Sequence, residues 1–230
     1  LKGVTENGLM VMANPLNYPF FIAVIIGATY LALTSTMSVS RERDQGTLEV
    51  LFYGPIDSVA YVLAKFLEQL VTFLGLVIVY MVIFFVISIL TNFGMDGSFL
   101  AMAGLSVLLA AAIVAFGLLL STLCRSARTS VILLLVLLIL FLAVDVVAGI
   151  LNSMSAKDMS VTLVYIRVAV DMVNRGLQWI SPFGYLNRGM LAIGLGSASL
   201  ILGSIGASLL YTIVLLALAM RFLERRGVRK

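Results

Sequence analysis

Histidine is absent from this chain, and cysteine occurs once, as Cys124. Without imidazole there is no haem ligation by His, no His-built metal centre and no Ser-His or Cys-His nucleophile. A single thiol excludes an intramolecular disulfide framework and any cysteine-built zinc or iron–sulfur site. Charge is scarce as well: only 11% of the 230 residues are Asp, Glu, Lys or Arg, too few to clothe a water-soluble globule. Neither a catalytic residue nor a metal ligand is expected, and most enzyme chemistry is excluded before any motif is sought.

What fills the chain is apolar, with 62% hydrophobic residues and a mean hydropathy of +1.14. That composition belongs in a bilayer, where lipid solvates the outer surface and no large aqueous core is needed. A spanning helix takes roughly 20 predominantly apolar residues. Five runs qualify, near 18–40, 67–90, 99–123, 130–151 and 200–222. The expected fold class is therefore all-α, one polytopic membrane domain over residues 1–230.

The polar connections set the orientation. Residues 41–66 carry Arg41, Arg43 and Lys65, the link after Cys124 carries Arg125 and Arg128, and the tail carries Arg221, Arg225, Arg226, Arg229 and Lys230. These ten of the fifteen basic residues fall on one side, which the positive-inside rule makes cytoplasmic, so a multi-pass protein of the cell membrane with its C-terminus inside is expected. The turn at 91–98 has no Lys or Arg and would lie outside. Five spans would leave the N-terminus outside. An even number with both ends inside is the simpler insertion, so a further span ahead of residue 18 is expected.

Residues 152–199 are too polar and interrupted for an ordinary span, and they carry Lys157, Asp158, Arg167, Asp171, Arg175 and Arg188. Within them, 159–180 places Arg167, Asp171 and Arg175 at four-residue steps on one helix face, with Tyr165 and Trp179 suited to the headgroup level. An outer interfacial helix is expected, its charged face either simply solvated or acting as a gate. After it, SPFGYLNRG (181–189) contains Pro182, Gly184 and Gly189, which predict a break and a re-entrant or broken helix leading into the last span.

The most charged island is RERDQGTLEVL, residues 41–51, set between the first two apolar runs. From Thr47, the positions Leu48, Leu51 and Phe52 make an apolar face at helical spacing beside Glu49. Gly54-Pro55 ends that turn, and Asp57-Ser58 can start a helix running through Lys65 into the second span. A short amphipathic helix at about 46–53 is expected, either resting on the membrane surface or presented to a partner.

The run SRERDQGTLEVLFYGPIDSVAYVLAKFL (40–67) resembles the membrane subunit of type-2 ATP-binding-cassette exporters: Arg41-Glu42, Gly46-Thr47-Leu48-Glu49, Leu51, Pro55 and Lys65 match that pattern. LQWISPFGYLNRG (177–189) and LERRG (223–227) are similar to the gliding-motility and copper or sodium export branch. The resemblance implies six spans and a permease subunit that moves a substrate using ATP hydrolysed elsewhere. Its partners would be a separate ATPase, a second permease copy and the bilayer, with no nucleic acid. The charged island would be the coupling helix, contacting the ATPase through Arg41, Glu42, Arg43, Gly46, Thr47, Leu48, Glu49, Leu51 and Phe52. ATP and magnesium would sit on the partner. A phosphate-binding loop needs Gly-Lys, and none of Lys2, Lys65, Lys157 and Lys230 follows a glycine, so this chain is expected to need no cofactor of its own.

Asp145, in LFLAVDVVAGIL, is the one acid well inside a span, roughly 9 Å from its outer end at Leu151. An intramembrane acid points to a partner or a translocation path, with a structural hydrogen bond as the alternative. Ser199, Gly203 and Ala207 recur at every fourth position and predict close helix packing, within the subunit or at a dimer seam, the former preferred. Two other classes compete. A secondary, ion-gradient transporter would show internal repeats or midplane ionisable groups, and an intramembrane enzyme would need convergent acid, base or metal ligands. Neither set is evident, and the substrate is not legible.

Overall fold

The computed structural model describes residues 16–48, 57–94, 97–154, 160–194 and 196–227. Among these there are seven helices and no strand. They are α1 (Asn17–Asp44), α2 (Ser58–Thr91), α3 (Gly97–Leu123), α4 (Ala127–Ser153), α5 (Val161–Ile180), α6 (Pro182–Gly194) and α7 (Ala198–Gly227). Five of them, α1, α2, α3, α4 and α7, are long and apolar enough to cross a membrane, as the sequence leads one to expect. The second begins at Ser58, with Asp57 extended (φ −79, ψ 143) as its N-cap, so its first turns are the stretch through Lys65.

α3 is the hub. It touches α1, α2, α4, α6 and α7, and 78% of its most apolar stretch is buried, against 11% for α4. The reason lies in side-chain size. Lipid is as apolar as leucine, so helices in a membrane associate by close packing and hydrogen bonding, which small residues allow. Ala110, Ala112 and Ala115 are fully enclosed on α3. At Gly117 a Cβ would stand 2.0 Å from Ser35 Oγ and 3.1 Å from the Thr36 main-chain nitrogen, so no side chain fits between α3 and α1. Nearby, Ser121 Oγ accepts the N–H groups of Val39 (3.0 Å) and Ser40 (2.8 Å). At the opposite end Phe20, Phe84 and Phe99 join α1, α2 and α3, with ring centroids 4.4 to 5.8 Å apart.

The region 160–194 departs from expectation in one respect. α5 is the expected amphipathic helix, its start capped by Ser160 Oγ, which accepts from Leu163 N at 3.4 Å. The expected break falls at Ser181, and Pro182 opens α6, a short separate helix ahead of α7, at a position where its missing N–H costs nothing; the difference is that Gly184 and Gly189 lie inside that helix rather than breaking it. Their lack of a side chain serves contact. A Cβ on Gly184 would reach 2.6 Å from the Gln178 carbonyl oxygen, and one on Gly189 would reach 2.3 Å from Leu109 Cδ1. The chain thus reverses at Ser181, and α6 lies against α3 with Leu186 and Met190 buried.

Of the small-residue row on α7, Ala207 packs against the chain's own core, whereas the N-terminal two positions lie outside that packing. Ser199 and Gly203 are exposed, and nothing lies within 4 Å of a Cβ placed on Gly203. The close packing expected within the subunit is thus met at Ala207 and not at Ser199 or Gly203.

Candidate functional site

Two regions bear on the candidate site. The first is the end of the bundle where α1 runs into the charged island. Residues two apart on a helix face different ways, and the island divides accordingly. Arg41 and Asp44 are exposed, whereas Glu42 and Arg43 turn inward. Arg43 Nη1 donates to the carbonyl oxygens of Thr122 (3.2 Å) and Cys124 (2.8 Å), supplying positive charge to the C-terminus of α3 where the helix dipole is negative. Glu42 accepts from Tyr61 Oη at 2.5 Å and pairs with Lys65 Nζ at 2.8 Å, joining α1 to α2. Lys65 also reaches Glu68 at 3.2 Å, and Ser58 Oγ donates to Glu224 at 3.1 Å, joining α2 to α7. The connections rich in Lys and Arg therefore meet at one end of the bundle.

Gly46 follows with φ +72, a left-handed conformation that suits glycine, just beyond the α1 C-cap Gln45. Thr47 Oγ1 donates to the Glu42 carbonyl at 3.0 Å, and Thr47 and Leu48 are again helical. Leu48 is 4% exposed and belongs to the chain's own apolar core, so its side chain is not turned to the exterior. Glu49, Leu51 and Phe52 lie outside the described residues. Of the nine coupling positions read from the sequence, Arg41, Gly46 and Thr47 are exposed, while Glu42, Arg43 and Leu48 serve the chain's own packing.

The second region is a cavity of about 530 Å³ bounded by α1, α4, α5 and α6. Its walls are apolar, with Phe21 and Ile25 from α1 and Leu138, Phe141 and Leu142 from α4. Polar groups enter from Thr29, Asp145, Gln178, Asn187 and Arg188. Asp145 stands about two-thirds of the way along α4, roughly 12 Å from its Ser153 end, and is exposed to this space. Gln178 Nε2 approaches its carboxylate at 3.5 Å.

Arg188 is held on the far wall. Its Nε donates to the Gly184 carbonyl at 3.3 Å, an Nη donates to the Gln178 carbonyl in the last turn of α5, and its guanidinium lies 4.6 Å from the Trp179 ring centre and 5.1 Å from that of Tyr185. Burial pulls the guanidinium below its ordinary value and pushes the Tyr185 phenol above its own. An arginine starts so far above neutrality that its charge persists. Tyr185 Oη donates to the Trp179 carbonyl at 2.8 Å, and Tyr211 Oη of α7 donates to that of Ile180, fixing the reversal from two sides.

The sequence singled out Asp145 but not Arg188, Gln178 or Tyr185. All three fall in the run LQWISPFGYLNRG that carries the family resemblance, with Arg188 its one cation, but bringing Gln178 and Arg188 to the same cavity as Asp145 requires knowing that the chain reverses at Ser181. On α5, Arg167 Nε donates to Asn152 Oδ1 and Asn152 Nδ2 donates to Asp171, both at 2.9 Å, so two of the three aligned charges bind the end of α4 while Arg175 stays exposed. Among the described residues no three Cys, Asp or Glu converge as a metal site would require.

A bundle of spanning helices with its basic connections gathered at one end is what a transport permease needs, and residues 3–228 match the family model described as ABC-2 family transporter protein. The chain belongs to that family. It is an ABC transporter permease and a multi-pass membrane protein, and its family implies an ABC ATPase subunit as partner. No curated protein matches the permease at a significant level. In this permease the cavity lies between α1, the helix before the charged connection, and α4.

Proposed function

We propose that the permease is the membrane half of an ATP-driven exporter in the cell membrane, with its charged end and C-terminus cytoplasmic. The ATP and magnesium reside on a separate ATPase subunit, which docks on the connection at about 46–53, and a second permease copy completes the pathway. The segments LQWISPFGYLNRG and LERRG favour the gliding-motility and copper or sodium export branch. The cavity holding Asp145 is part of the substrate path. The observation that carries this reading is the family match over residues 3–228. The rigid seating of both helices that flank the connection adds to it, because a load applied there passes directly to α1 and α2.

Purification of the tagged chain from its native membrane in mild detergent tests the proposal. An ATP-hydrolysing subunit should accompany it, and vesicles containing both should transport only when ATP is supplied. One feature favours the rival ion-gradient transporter, namely that Asp145, in a spanning helix, takes part in no ion pair among the described residues. Transport by the chain alone on an ion gradient would establish that rival and end the ATP-driven reading.

A further inference from the structure

We infer that the cavity between α1 and α4 binds amphipathic cations, with the apolar body against the two helices and the positive group at Asp145. The inference rests on the reading that this cavity belongs to the substrate path, and it adds the chemical class of the substrate.

The two charges lining the cavity are not equivalent. Arg188 is already provided for: its N–H groups go to the carbonyls of Gly184 and Gln178, and the rings of Trp179 and Tyr185 lie against its face. The Gln178 carbonyl belongs to the last turn of α5, the negative end of that helix, so the guanidinium is compensated in place. Asp145 has no such provision. Its one hydrogen-bond neighbour is a neutral amide at 3.5 Å, the long limit for such a bond, and no basic group pairs with it among the described residues. A carboxylate at this depth in a span is costly without a partner, and the cavity is where a partner has room. Phe21, Ile25, Leu138, Phe141 and Leu142 make the wall mostly apolar, and the few neutral polar groups of Thr29, Gln178 and Asn187 replace only part of the shell of a small hydrated cation. A cation with an apolar body satisfies both parts.

The test uses the full chain in lipid nanodiscs and two probes of nearly equal size and shape but opposite charge, tetraphenylphosphonium and tetraphenylborate. Comparing variants within the same disc removes partition into the bilayer. The phosphonium should bind saturably, and Asp145→Asn should weaken it about tenfold while Asp145→Glu restores it. Leu142→Ala should weaken both ions by the same modest factor. Equal binding of both ions, no binding, or no effect of Asp145→Asn on a variant with unchanged melting temperature would overturn the inference.

An ammonium headgroup of a lipid has the same chemistry as a free amphiphile. An Asp145→Asn effect that shrinks in phosphatidylcholine discs relative to phosphatidylglycerol discs assigns the site to lipid, and an unchanged effect assigns it to the free amphiphile. No ATPase enters this measurement. Cation binding without a co-purifying ATPase would therefore reject the exporter reading and keep the site, and the reverse result would reject the site alone.

Discussion

Glu42 of α1 and Lys65 of α2 lie 2.8 Å apart, and Tyr61, one turn earlier on α2, donates to the other oxygen of the same carboxylate at 2.5 Å. The side chains of the ion pair are 23% and 22% exposed, so the charges are partly screened but hold a defined geometry between the end of α1 and the start of α2. Glu42→Gln and Lys65→Met should show a coupling of about 1 kcal/mol in a double-mutant cycle of unfolding in detergent. Strict additivity would mean that the contact does not join the helices.

Arg43→Ala removes a charged donor from two carbonyls at the tip of α3, and such bonds contribute about 1.5–3 kcal/mol. Cys124, whose carbonyl is one acceptor, is buried at 8% exposure. Its thiol should react faster with a maleimide in Arg43→Ala than in the wild type, while Arg41→Ala, at an exposed position, leaves the rate unchanged.

Gly117→Ala forces a methyl group into Ser35 and the backbone of Thr36, and overpacking of this kind costs about 1–3 kcal/mol. Ser35→Gly in the same chain should recover part of the loss, since the closest contacts are to the Ser35 side chain. Gly203→Ala, facing open space, should stay within about 0.5 kcal/mol of the wild type. Thermal unfolding of the three variants ranks them directly.

Leu51→Asp should abolish capture of the ATPase at equal amounts of inserted protein, because docking would bury an unpaired charge. Glu49→Gln should weaken capture less. Gly46→Ala places a Cβ at φ +72, a strain of about 1–2 kcal/mol, and should reduce ATP-driven transport without preventing insertion. Undiminished capture by Leu51→Asp would show that the island is not the docking element.

In a Cys124→Ser background, Asp96→Cys should react with a membrane-impermeant thiol reagent added from outside. Labelling only from the cytoplasmic side would invert the proposed orientation.

The spans were legible because each is a long apolar run, and bilayer thickness dictates the length to look for. The amphipathic helix expected over 159–180 begins after Ser160, whose hydroxyl caps it, and Gly46 takes a left-handed turn after a polar helix end, two local signals that the reading of charge and hydropathy passes over. The direction of Arg43 was not legible. Arg41 and Arg43 are alike in composition and neighbourhood, and only the position of the α3 tip decides that one is solvated and the other spent on carbonyls. Gly184 and Gly189 read locally as breakers, yet contacts with Gln178 and Leu109, remote in sequence or across a reversal, hold them in a helix. Asp145 stood out as a lone acid, but the cavity around it is assembled from four helices, and no periodicity along one strand of sequence reports which helices will face each other.

The tight seam at Gly117 gives the bundle an uneven mechanics. α1 and α3 interlock there and are tied again at Ser121 and Arg43, so a force on either moves both as a single strut. α4 follows the short turn at 124–126, packs against both α1 and α3, and is the least enclosed of the five long helices. The cavity has α1 for one wall and α4 for another. Any swing of α4 against the strut is therefore read out as a change in the room available beside Asp145.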